Sequence, residues 1–156
     1  ALQTGTLDAA EWIGPYNDLT FGFHKVAKHY YYPGWHEGGP TLECIVNKEA
    51  YESLPKDLQT IVDIAASATN DSMLAEFMAR NAFALEQIEQ MDDIKISPFP
   101  KDVMDAFKES AEEIIAEIID KDPKFAKIYK SFSEYKDTVE KWTKISEYAL
   151  LKNRYE

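Results

Sequence analysis

Only one cysteine, Cys44, occurs in the 156 residues. An intrachain disulfide and a cysteine-ligated metal site are therefore excluded. The lone thiol sits among Leu42, Ile45 and Val46, where it reads as a small buried hydrophobe. No run of 18 apolar residues occurs, so no membrane-spanning helix is expected. Positive charge is scarce: 17 Lys and Arg stand against 28 Asp and Glu, for a net charge of −11. Nucleic acid and anionic membrane surfaces both call for the opposite balance. A small anion is not excluded, because a local site can oppose the global charge. There is no G-x-S-x-G elbow, no phosphate-binding glycine loop and no G-x-G-x-x-G. His24, His29 and His36 lack the spacing of a zinc site and read as partly exposed. Residues 1 to 5 show neither an initiator Met nor a leader pattern. They read as the end of an earlier helix with a Gly stop, so a longer natural chain is expected.

What is present is a globular composition, 45% hydrophobic and 13% aromatic, with enough length for a core. Residues 1–47 hold all six Gly, all three His and two of the three Trp. Their β-prone runs predict strands at Leu7–Ile13, Ala27–Tyr32 and Thr41–Asn47. A short helix is expected between the first two, from Pro15 to Val26, with Pro15 or Asn17 near its start. Pro33-Gly34 and Gly38-Gly39-Pro40 mark turns.

From Lys48 the pattern turns helical. Pro55 suits a first helical turn, and the apolar spacing from Leu58 to Ile88 predicts one helix reaching about Met91. At 1.5 Å per residue it would span roughly 50 Å, more than a small lobe needs. A short strand at Ile94–Ile96 precedes a helix opened by Pro100. Asp122-Pro123 ends that helix, and a last one carries Phe125, Ile128, Phe132, Val139, Trp142, Ile145 and Ala149. The apolar stripes read as core packing. The last helix differs, since its Tyr129, Tyr135, Tyr148 and Tyr155 suit a face docked on a partner.

Candidate chemistry concentrates in residues 8–39. Glu11 and Trp12 stand at the end of an expected strand, where ligand crevices form in α/β proteins. Glu37 stands in a Gly-rich loop behind Trp35 and His36. Two carboxylates plus carbonyls freed by Gly turns suit a hard cation, Na⁺ or Ca²⁺. On spacing alone both carboxylates read first as solvated side chains, and both Trp rings as packing.

Three stretches together are more specific. Leu7-Asp-Ala-Ala-Glu-Trp-Ile-Gly-Pro-Tyr-Asn-Asp18, Tyr30-Tyr-Tyr-Pro-Gly-Trp-His-Glu-Gly38 and Val46-Asn-Lys-Glu-Ala-Tyr-Glu-Ser-Leu-Pro55 resemble the DctP-type solute receptors of TRAP transporters, nearest to those for 2-oxo acids and lactate-like acids. The resemblance runs along essentially the whole chain, most tightly over residues 1–60. It implies an α/β fold: one lobe of a two-lobe periplasmic-binding-protein-like architecture, helix-rich, with a long lobe-spanning helix and a long C-terminal helix. Residues 1–47 would be a strand-rich part carrying half of the ligand site. Residues 48–92 would be the bracing helix, and 93–156 a hinge strand with the C-terminal helices. By the resemblance Glu11, Trp12 (in part through its carbonyl) and Glu37 hold the cation and the ligand. The family's first lobe, with an Arg for the ligand carboxylate and a Gln for the cation, has no counterpart here.

The implied function is that of a periplasmic receptor, not an enzyme, handing a small organic acid to a membrane permease. Exchange of the C-terminal helix within a homodimer is part of the same expectation. Two alternatives stay open on the residues alone: an enzyme using Glu11 and Glu37 as acid and base, and a helical interaction module in residues 100–156.

Overall fold

The computed structural model describes residues 1–39 and 42–156. The chain forms two compact units, Ala1–Phe99 and Pro100–Glu156. Among the described residues no helix is long and apolar enough to cross a membrane.

In the first unit, residues 7–13 form no strand. The β-prone run is real, but a strand needs a neighbour to take its backbone hydrogen bonds, and none of the described strands pairs with it. Helix α1, Pro15–Phe21, begins at Pro15, whose fixed φ suits the first helical position. It stops earlier than expected because Gly22 turns left-handed at φ 77°. One 3₁₀ turn, Phe23–Lys25, completes the segment.

Of the three strands expected before residue 48, the described residues form one, β1, His29–Tyr32. Residues 42–47 run without regular structure, and Cys44 is exposed there instead of buried. Without a pairing strand this run has no sheet face on which to bury alternate side chains. Thr41 of that expected strand, and Pro40 of the expected turn, lie outside the described residues.

After the short helix α2, Lys48–Glu52, whose N-terminus is capped by Asn47, comes α3, Lys56–Glu89. Its 34 residues correspond to roughly 50 Å. Pro55 stands just ahead of it as N-cap. The chain then returns as β2, Lys95–Pro98, parallel to β1, with Tyr30 opposite Ile96. A parallel return requires a long crossover, which α2 and α3 provide. The first unit therefore ends after β2, whereas a division at residue 92 would place that strand with the C-terminal helices.

The core lies where α1 packs on α3. Ala84 and Ile88 are 3% and 1% exposed, and burying a side chain like Ile88 stabilises by about 1.5–3 kcal/mol. The rest of the expected apolar stripe is not buried: Ile61, Val62 and Met78 are exposed.

The second unit is helical throughout. α4, Lys101–Lys121, gives way to α5, Pro123–Ile145. The junction follows from local chemistry: Asp122 accepts from the Lys124 and Phe125 amides at 2.8 and 3.2 Å, and Pro123 supplies the first helical position. The last helix, expected as continuous, is divided at Ser146, and α6 covers Glu147–Tyr155. Ser146 Oγ donates to the Trp142 carbonyl at 2.8 Å, a back-bond that competes with the helical ladder and bends it.

Candidate ligand-binding site

Glu11 and Trp12 lie in the irregular segment that leads into α1, and both are exposed. The Trp12 ring stands edge-on to Phe21, with centroids 5.3 Å apart. That contact fixes one side of the indole and leaves the other open, which is neither a core position nor a free side chain.

Glu37 lies in the loop after β1. A Cβ at Gly34 would fall 2.7 Å from the Glu37 carbonyl oxygen, so only glycine lets the loop fold back this closely. The Glu37 carboxylate is 3.3 Å from His36 Nε2, and both side chains are exposed. The His36 ring in turn lies 4.6 Å from that of Trp35.

Between the two segments in the chain lies a pair that residue spacing does not reveal. Tyr30 Oη, on β1, donates to Asp18 Oδ2, on α1, at 2.5 Å. Asp18 is 9% exposed, and its other carboxylate oxygen is buried without a hydrogen-bond partner. Burial pushes the Asp18 carboxyl above its ordinary value, the Tyr30 hydroxyl opposes that, and the Glu11 charge adds to it. Tyr30 is pushed up in turn by its own burial and by Asp18. A second tie holds the start of α1: Asn81 Oδ1, on α3, accepts from the Tyr16 amide at 3.0 Å. Arg80 lies over the Tyr16 ring, 4.9 Å from its centroid. Asp18 stands within the quoted run from Leu7. The signal pointing to it is a carboxylate in a short helix whose neighbours are Tyr16, Leu19 and Phe21.

The donors of Glu11, Trp12 and Glu37 are of the right kind for a hard cation, carboxylate and carbonyl oxygens. Their number falls short of the six to eight oxygens that Ca²⁺ takes. Among the described residues no group of three or more His, Cys, Asp or Glu is placed to hold a metal. A groove of about 430 Å³ between α1 and α3, lined by Tyr16, Thr20, Arg80 and Phe83, includes none of the three. Another of about 400 Å³, lined by Leu2, Leu7, Phe21 and Val26, does not include them either. All three lie on an open surface.

Comparison with known proteins gives the chain a family. Residues 1–122 match the family of bacterial extracellular solute-binding proteins, family 7 (DctP). The chain is 37% identical over 147 residues to the monocarboxylate 2-oxoacid-binding periplasmic protein of Nostoc sp., covering 94% of this chain and 40% of that one. Among solved structures, a TRAP periplasmic solute-binding protein of Colwellia psychrerythraea, with bound calcium and pyruvate, superimposes with a TM-score of 0.91 at 42% identity. The match covers 98% of this chain and 47% of the other. A counterpart from Pseudoalteromonas atlantica, with bound sodium and pyruvate, gives 0.89 at 40% identity over 97% and 46% of the two chains. One from Bordetella bronchiseptica, a mixed-occupancy dimer with calcium and picolinate in one site, gives 0.93 at 39% over 99% and 46%. The chain thus spans less than half the length of each of these relatives. Over the part it does span, its sequence and fold follow theirs almost end to end, and the chain belongs to family 7 of the bacterial extracellular solute-binding proteins, the DctP family.

Proposed function

We propose that the protein is a periplasmic TRAP receptor for a small 2-oxo acid, and that Glu11, Trp12 and Glu37 are its cation-binding and ligand-binding residues. The observation that carries the reading is the likeness, over 98% of this chain, to a receptor holding calcium and pyruvate. The cation, Ca²⁺ or Na⁺ as in the solved relatives, supplies the positive charge that draws a carboxylate to an acidic protein. This chain's part is to set two carboxylates and the Trp12 carbonyl on one face. The remaining oxygens and a counter-charge for the ligand come from a facing lobe, which makes lobe closure part of binding. On this reading α3 braces the two lobes, β2 is a hinge strand, and the closed receptor delivers its ligand to a membrane permease.

The acid–base alternative needs one carboxyl desolvated and raised; the receptor reading is preferred because the relatives that this chain resembles are solute-binding proteins. For the C-terminal helices the same reading proposes a homodimer. Phe132, Tyr135, Trp142 and Ile145 are 58–74% exposed, and the Bordetella relative is described as a dimer.

The test is calorimetric titration of pyruvate into the full-length protein with Na⁺, with Ca²⁺, and with chelator alone. Heat only in the presence of a cation is expected, and Glu37→Ala should weaken binding by more than about 100-fold. Normal binding by Glu37→Ala would remove the residue from the site. Heat without any cation would remove the metal, and turnover of pyruvate would replace the receptor by an enzyme.

A further inference from the structure

Glu11 and Glu37 are far apart in sequence, so their separation in space depends on what joins their segments. Glu11 leads into α1 and Glu37 follows β1. Among the described residues, the side-chain hydrogen bond from Tyr30 to Asp18 links that helix to that strand. It is an expensive link. Asp18 is buried with Tyr30 as its side-chain hydrogen-bond partner and only the Gly14 backbone beside it otherwise, and a buried carboxylate so thinly satisfied calls for an explanation beyond stability. An apolar pair of the same shape would fill the space at lower cost. What the polar pair adds is direction, since a short hydrogen bond fixes where the helix stands against the strand. Asn81 fixes the start of the same helix through the Tyr16 amide, two residues before Asp18, so its first turn is tied both to α3 and to β1.

We propose that Asp18 and Tyr30 are positioning residues for the cation site, holding the segments of Glu11 and Glu37 at the separation that a shared cation requires. The proposal rests on the reading of Glu11 and Glu37 as cation ligands. Neither Asp18 nor Tyr30 is a ligand in it. They act through the frame that carries the two carboxylates.

The test titrates Ca²⁺ alone into chelator-treated full-length protein, with the melting temperature of the cation-free form recorded in parallel. Tyr30→Phe and Asp18→Ala are each expected to weaken Ca²⁺ binding about tenfold, the worth of a hydrogen bond to a charged group. The double variant should be no weaker than the worse single one, because both substitutions break the same bond. Asp18→Asn, which keeps an acceptor for the Tyr30 hydroxyl, should recover most of the affinity that Asp18→Ala loses. A purely structural role would lower the melting temperature without this pattern. Wild-type affinity in Tyr30→Phe, additive losses in the double variant, or no recovery in Asp18→Asn would each overturn the proposal. If Tyr30→Phe does not fold, the Asp18→Ala and Asp18→Asn pair decides alone. Glu11→Ala and Glu37→Ala run alongside. If those two bind Ca²⁺ like wild type, the ligand assignment fails first, and that failure is visible before the positioning result is read.

Discussion

The two units differ in what holds them. Residues 1–99 carry 15 of the 28 acidic residues but only 6 of the 17 basic ones. Their fold depends on bonds between distant positions: Tyr16 to Asn81, Tyr30 to Asp18, Lys28 to Asp93. Residues 100–156 are nearly balanced, with 13 acidic and 11 basic residues. No residue of α4, α5 or α6 is buried. Their ion pairs are spaced four apart within single helices, such as Lys101–Asp105, Lys121–Glu117 and Lys144–Glu140. Long-range polar bonds specify one geometry, which suits a binding site. Local pairs support helices wherever those helices lie, and leave their apolar faces free for a partner.

The largest effect expected from that difference is on stability. Ile88→Ala removes a side chain that is 1% exposed and should cost about 2–5 kcal/mol. Ile118→Ala, in α4 and 38% exposed, should cost less than about 1.5 kcal/mol, because little buried surface is lost. Denaturant unfolding of both variants checks this. Equal losses would mean that the second unit owns a core comparable to the first, and the contrast would fail.

A smaller effect on the fold, but a larger one on assembly, is expected from the second unit. Trp142→Asp places a charge on a face whose ring is already 68% exposed. Unfolding should shift by less than about 1 kcal/mol, as for surface changes generally. Sedimentation should show a homodimer falling to monomer, with pyruvate binding retained. An unchanged mass would take the interface away from this face.

How legible each unit was in the sequence follows the same division. Helix ends depend on neighbours in the chain, so Pro15, Asp122 and Pro123 could be read directly. Gly22 and Ser146 were the exceptions: a left-handed stop was overrun by an expected helix to Val26, and a break by an expected continuous last helix. Strands depend on partners far away. The runs at 7–13 and 42–47 look as β-prone as residues 29–32, yet among the described residues only the last has a neighbour to pair with. Burial fails for the same reason: Cys44 sits in an apolar run but is exposed. Glu11, Trp12 and Glu37 were marked only weakly by residue type and turn chemistry, and the resemblance to a family made the assignment specific. Asp18 and Asn81 were missed because their partners lie 12 and 65 residues away, a distance no local pattern spans.

The smallest expected effect separates two kinds of carboxylate within the first unit. Lys28 Nζ lies 2.6 Å from Asp93 and holds its carboxyl below the ordinary value of 3.8, chiefly through that hydrogen bond. Asp18 is shifted the other way by burial. The signs are therefore opposite. A lowered carboxyl contributes stability that is present above 3.8 and lost as pH falls through its folded-state value. A raised one costs stability once pH exceeds its folded-state value, and that cost disappears below 3.8. Lys28→Met should accordingly lower the melting temperature slightly at neutral pH and converge on wild type as the solution is acidified. Both partners are exposed, at 44% and 66%, so added salt should shrink the difference further. Asp18→Asn should run in reverse, gaining on wild type as pH rises from about 3 to 7, because the amide carries no charge to bury. Parallel slopes in the two variants would mean that both carboxylates feel the same surroundings. Asp18 would then have no claim to the buried position from which it ties α1 to β1.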